Sequence, residues 1–148
     1  SVMAERTVFQ SLSQKRVIRL GPLATVREAA CVMTRANCGS VLIMELPDVL
    51  LGIVTERDLM TRVLAKGLDP ETTLVRSVMT ANPICVPPET RVSEAVLIMI
   101  EKGFRHLPST GPGEGVLGVF SVRDALPREI GSALSLAEFN EKINDALG

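Results

Sequence analysis

Apolar positions recur at helical spacing in two stretches of the chain, Val26, Ala29, Ala30 and Met33, then Val92, Ala95, Val96 and Met99. A step of three to four residues puts such side chains on one helix face. Before each helix lies a short apolar run stopped by turn residues. Residues 17–20 end at Gly21-Pro22 and residues 84–86 at Pro87-Pro88, so both runs read as strands. Thr25 and Glu28 are spaced as a capping box, whereas Thr90 sits one place early and predicts a looser cap. Residues 41–44 and 50–54, joined around Pro47-Asp48, predict a hairpin. Its counterpart pairs residues 107–109 with 116–120 around the loop 111–115. A further helix is predicted from near Thr55 and another from near Ser121, the second cut short by Pro127. Leu136, Phe139, Ile143 and Leu147 predict a helix over residues 135–147, and residues 2–12 also read as helical.

These elements repeat. Residues 9–58 align without a gap on residues 75–124 at an offset of 66. Identities in that register include Ser11/Ser77, Ile18/Ile84, Pro22/Pro88, Met33/Met99, Gly52/Gly118, Arg57/Arg123 and Asp58/Asp124. They cluster at turns and helix faces, the mark of a tandem duplication. The expected organisation is an α+β fold of two β-α-β-β-α repeats, residues 9–66 and 75–131, packed about a pseudo-twofold. An N-terminal helical segment over residues 1–8 and a C-terminal helix over residues 132–148 flank them. A single copy is expected to be too small to close a good core, so the two copies would close one together.

Composition narrows the function. The chain has 148 residues, and 16 Lys+Arg against 17 Asp+Glu leave a formal net charge of −1. Nucleic-acid domains usually carry a basic excess, and without Trp or Tyr little is available to stack on bases. Nucleic acid is therefore not an expected partner. The longest apolar run, residues 95–100, is far shorter than a membrane span, and no signal-peptide core opens the sequence. Three Cys without a CxxC pair, and one His, fit reduced thiols better than a disulfide frame or a zinc site. A cytoplasmic location away from membranes is expected.

The candidate chemistry lies where a strand meets a helix: Gly52-Ile53-Val54-Thr55-Glu56-Arg57-Asp58, and again Gly118-Val119-Phe120-Ser121-Val122-Arg123-Asp124. Unpaired N–H groups and the dipole at a helix start favour an anion. Thr55 or Ser121 adds a hydroxyl. Asp58 or Asp124, one turn on, can accept hydrogen bonds from the two vicinal hydroxyls of a ribose. The glycine allows close approach to the backbone. Together these groups suit a ribose-phosphate. Thr-x-x-Asp is also a good N-cap with an acid at the third position; its recurrence with the glycine and arginine favours a binding role. Arg105 and His106 could meet a phosphate, with a solvated arginine and a part-exposed histidine as the plain alternative. Their first-copy counterparts are Gly39 and Ser40, so any phosphate clamp is asymmetric. The glycines of the loop 111–115 are not followed by Lys-Ser/Thr and precede a strand, as in a hairpin. No nucleophile–base pair can be assembled, so no enzymatic activity is expected.

At these residues the sequence resembles the cystathionine-β-synthase (CBS) domain family, as a tandem pair. The matching features are residues 52–59 and 118–125, Val78-Met79-Thr80 before the second copy, and Phe104-Arg105-His106-Leu107-Pro108 within it. The resemblance implies clefts between the copies that bind an adenosine-containing ligand, AMP first, with ADP, ATP, an NAD-type cofactor or S-adenosylmethionine as alternatives. It places ribose hydroxyls on Asp58 and Asp124, ribose or phosphate on Thr55 and Ser121, and phosphate near Arg57, Arg105, His106 and Arg123. Val17, Ile18, Pro83, Ile84 and Cys85 would line the adenine pocket, and Thr80, Phe104 and Pro108 join the ligand-contacting set. It also implies a homodimer and a regulated partner protein. A ligand-free structural dimerisation module is the alternative. Ser121 in place of Thr, and the polar Ser109-Thr110 where the first copy has Ile43-Met44, set the copies apart.

Overall fold

The structure, a computed structural model, describes residues 5–12, 17–113 and 115–147. They form two units that do not follow chain order: residues 17–83 make one, and residues 84–147 together with 5–12 make the other. The N-terminal segment contributes a single helical turn, α1 (Val8–Ser11). Of the helix expected over residues 2–12, Glu5 to Thr7 carry none, Thr7 being bridged to Arg91, and residues 1–4 lie outside the described residues.

In the unit of residues 17–83, β1 (Arg19–Leu20) leads to α2 (Val26–Ala36), β2 (Ser40–Glu45) and β3 (Val49–Thr55). A short turn, α3 (Glu56–Asp58), continues as a π-helix over Leu59–Leu64, and a 3-10 turn Val75–Ser77 precedes β4 (Thr80–Ala81). The sheet order is β1-β2-β3-β4, with β1 parallel to β2 and the other pairs antiparallel. The parallel pair follows from the crossover through α2. Thr25 caps α2 as expected, its hydroxyl accepting the Glu28 N–H while Glu28 accepts the Thr25 N–H, both at 3.1 Å. The helix closes on Asn37 at φ 52°, a left-handed position that asparagine tolerates. Val26, Ala29 and Met33 meet Val41, Ile43 and Val54, with Val63, Val75 and Val78 completing the core.

In the other unit the expected strand over residues 84–86 shrinks to one parallel bridge, Val86 to Ser109. Helix α4 (Val92–Lys102), β5 (His106–Gly111) and β6 (Gly115–Ser121) follow, then a 3-10 turn Val122–Asp124 and α5 (Pro127–Leu147). No side chain caps α4, in line with the misplaced Thr90; the carbonyl of Arg6 takes the Val92 N–H at 3.0 Å. The helical turn from Ser121 does stop short, at Asp124. What differs is the start of the C-terminal helix: Pro127 opens α5, where its missing N–H has no intrahelical acceptor to lose, well before residue 135.

Each unit closes its own apolar core, but with a segment from outside its own repeat. The segments leading into the repeats are exchanged. Val8, fully buried, and Leu12 pack into the core built on α4, while Val75 and Val78, which match Phe9 and Leu12 at the offset of 66, pack into the core built on α2. The same exchange shows in hydrogen bonds. Val8 N–H donates to the Thr90 carbonyl at 2.7 Å, and Val75 N–H donates to the Ala24 carbonyl at 2.8 Å.

Ser109 stands where the first repeat has Ile43, and its hydroxyl is buried without a hydrogen-bond partner among the described residues. A buried orphan hydroxyl carries its desolvation cost uncompensated. Ser109→Ala is therefore expected to leave stability unchanged or raise it by up to about 1 kcal/mol. Denaturant melts would show this as an equal or higher midpoint, and a clear drop would count against it.

Candidate nucleotide site

The two Thr/Ser-x-x-Asp corners are built alike. In the first, Thr55 ends β3 and its N–H donates to Asp58 Oδ2 at 2.9 Å, while Asp58 N–H donates to Thr55 Oγ1 at 3.2 Å. In the second, Ser121 ends β6; its N–H donates to Asp124 Oδ2 at 2.9 Å, and its Oγ accepts the Arg123 N–H at 3.3 Å. The capping function is thus present in both. The expected supply of unpaired helix N–H groups is smaller than read from sequence. Glu56 N–H goes to the Gly39 carbonyl at 3.0 Å and Val122 N–H to the Arg105 carbonyl at 3.2 Å. A hydroxyl used as acceptor still has its hydrogen to donate, and a carboxylate has two oxygens.

The repeated glycines are close-packed by the chain itself. A Cβ on Gly52 would lie 2.6 Å from Met79 Sδ and 2.7 Å from the Thr80 carbonyl oxygen, because β4 runs against β3 there. A Cβ on Gly118 would meet Leu12 Cδ1 at 2.8 Å. Close approach is needed at both positions, and it is the fold that makes it.

Among residues 17–83, Thr55, Arg57 and Asp58 share one corner, with Arg57 exposed. Ser40 pairs with Thr55 across the sheet; Thr80 pairs with Ile53, two residues upstream. Val17 and Ile18 are half-buried; the Ile18 carbonyl accepts the Leu42 N–H at 2.9 Å and its side chain packs on the core. Pro83 is half-buried at the end of this unit. In the other unit, Ser121, Arg123 and Asp124 form the corner, His106 pairs with Ser121, and Arg105 is bonded to Val122 through its carbonyl. Arg105, Arg123 and Phe104 are exposed and His106 is half-buried. Ile84 is exposed; Cys85 is half-buried, and burial pushes its thiol up from its ordinary value. Pro108 is fully buried, and its carbonyl accepts the Val86 N–H at 2.9 Å.

Arg62 was not read from the sequence. Its Nε lies 3.7 Å from Asp58 Oδ1, and Nη1 donates to the Val78 and Met79 carbonyls at 2.8 and 3.3 Å. The Asp58–Arg62 spacing of four residues was the available signal. Among the described residues no group of three or more His, Cys, Asp or Glu could hold a metal ion, and no helix is long and apolar enough to cross a membrane.

Two copies of one α/β unit, each ending in the same capped acid corner, define a tandem repeat module. The model of the CBS domain family matches residues 9–65 and 75–129. The chain belongs to the CBS domain family and carries two CBS repeats in tandem. It is 32% identical over 136 residues to an uncharacterized protein of Methanopyrus kandleri, covering 92% of this chain and 69% of that protein. It is 39% identical over 142 residues to the CBS domain-containing protein CBSCBSPB2 of Arabidopsis thaliana, covering 90% of this chain; it spans only 26% of that relative's length. Among solved structures, it is similar to a CBS domain protein from Pyrobaculum aerophilum complexed with AMP, with a TM-score of 0.77 and 25% identity, covering 89% of this chain and all of that one.

Proposed function

We propose that the chain is a regulatory module that binds an adenosine-containing ligand at its Thr55–Asp58 and Ser121–Asp124 corners, AMP being the leading candidate. The observation that carries this reading is the recurrence of one corner, with the acid locked by a backbone N–H in both copies. A carboxylate fixed in this way needs no reorganisation to accept two ribose hydroxyls. The Pyrobaculum aerophilum protein complexed with AMP supports the choice of ligand. Arg57, Arg105, His106 and Arg123 would meet the phosphate, and Val17, Ile18, Pro83, Ile84 and Cys85 the base. Thr80 and Phe104 would add contacts at the rim, and Pro108 would act through its backbone. The ligand would work by favouring one conformation of the module over another, without being chemically changed. A homodimer, a regulated partner protein and a cytoplasmic location belong to the same reading.

Calorimetric titration with AMP, ADP, ATP, NAD and S-adenosylmethionine tests it. Thr55→Ala with Asp58→Ala, or Ser121→Ala with Asp124→Ala, is expected to cost about 1–3 kcal/mol of binding, a loss of about 5-fold to 150-fold. Unchanged affinity in both folded double variants would remove the site assignment. No binding of any of the five by wild-type protein free of co-purified nucleotide would favour the structural dimerisation module.

A further inference from the structure

We propose that Arg6 is a positioning residue for the second acid corner, so that the N-terminal segment helps set the geometry with which Asp124 meets a nucleotide; this rests on the nucleotide reading above. The Arg6 guanidinium donates from Nε to Glu129 Oε2 at 3.0 Å and from Nη2 to Glu129 Oε1 at 2.7 Å. The same Nη2 donates to the backbone carbonyl of Asp124 at 3.0 Å. Glu129 Oε1 also accepts the Leu126 N–H at 2.7 Å. One fork therefore ties together the last residue of the Ser121–Asp124 turn, the link to α5 and the first turn of that helix. Bidentate pairing fixes the plane of the guanidinium, so its reach to the Asp124 carbonyl is directional.

The backbone of Arg6 is itself fixed. Its carbonyl takes the Val92 N–H at 3.0 Å, and two residues on Val8 donates to Thr90 at 2.7 Å. The Glu129 side chain is only 9% exposed, so separating the pair would strand a poorly hydrated charge. The other unit braces its corner differently. There the exchanged segment offers the Thr73 carbonyl to Val26 N–H, and Asp58 is approached by Arg62 from its own helix. Arg6 thus joins the second corner to a segment that precedes the first repeat in sequence. Docking of that segment and occupation of the second corner should then favour each other.

The test is a double-mutant cycle in the full chain, with AMP binding measured by calorimetry well below every variant's melting temperature. Arg6→Gln is expected to weaken AMP about fivefold or more, and Arg6→Lys, which keeps a donor for the carbonyl, to recover most of the loss. On an Asp124→Asn background, Arg6→Gln is expected to add less than about twofold, because the group it positions has already been disabled. A lower melting temperature with unchanged affinity, or equal losses on both backgrounds, would make Arg6 a purely structural residue and overturn the proposal. Should Arg6→Gln fail to fold, Glu129→Gln, which loosens the fork from its other side, must weaken AMP more on the Asp124 background than on the Asp124→Asn one. Failure of wild type to bind AMP or the four other adenosine ligands overturns the nucleotide reading and this inference together; binding by wild type with an indifferent Arg6 overturns this inference alone.

Discussion

A chain shortened to begin at residue 13 is expected to lose roughly 2–4 kcal/mol of stability, with residues 84–147 opening first. Two contributions go at once. Val8 is fully buried in the core around α4, and burying a valine is worth about 1.5–3 kcal/mol. Removing Arg6 also strands Glu129; breaking a fully buried pair by deleting one partner costs about 3–5 kcal/mol, and with Arg6 itself 28% exposed this pair contributes less. The two overlap, so the sum is a ceiling. A fall of several degrees in melting temperature follows. Hydrogen exchange should show α4, β5 and β6 losing protection ahead of β2 and β3. A melting temperature within a degree or two of the full chain would contradict the exchanged-segment packing. Acid adds a signature. Hydrogen bonds from Arg6 hold the Glu129 carboxyl below its ordinary value against the opposing effect of burial, with the Leu126 N–H helping. A lowered carboxyl stabilises the fold above the ordinary glutamate value, and the benefit is lost as pH falls through the lowered one. The gap between full and shortened chains should narrow over that interval.

Phe120→Ala is expected to cost about 3–5 kcal/mol, a large part of the roughly 5–15 kcal/mol that holds a domain together. Phe120 is fully buried and is the largest side chain in its core, packed with Val8, Val92, Val96, Met99 and Leu107. Its counterpart in the other repeat is Val54, so the truncation removes more volume than the first copy ever holds at that place. The cores are separate clusters, and the damage should stay in one unit. Urea melts followed at amides of both sheets would show β5 and β6 destabilised with β2 and β3 little changed. A loss under about 1 kcal/mol would mean that the cavity collapses.

Local features were legible in the sequence because their causes lie within a few residues. The Thr25–Glu28 cap, the two hairpins and the acid corners all appear where their spacing placed them. The duplication was legible for a different reason, since an exact offset survives in identities even where shape is unknown. What the pattern could not carry was long-range pairing. Arg6 and Glu129 are separated by 123 positions, and neither residue type announces the other. Glycines 52 and 118 signalled close approach but not the approaching groups, which are Met79 with the Thr80 carbonyl in one case and Leu12 in the other. Pro127 was legible as a stop for the turn before it but not as the start of α5, because a breaker and a helix opener are the same residue.

The exchange of leading segments makes the first repeat an insertion within the second unit, whose two pieces lie on either side of it. As a chain emerges from the ribosome, residues 17–83 have every part of their core once Val78 is made, whereas Val8 has none of its partners until α4 and β6 follow. Helix α1, made before either core, is thus among the last elements of its unit to find its place. Cutting the gene between the repeats would yield an N-terminal half with an unsatisfied apolar turn and a C-terminal half missing a wall of its core. Chain order and folding order run in opposite directions for α1, and a circular permutation joining residue 147 to residue 5 would bring them back into step.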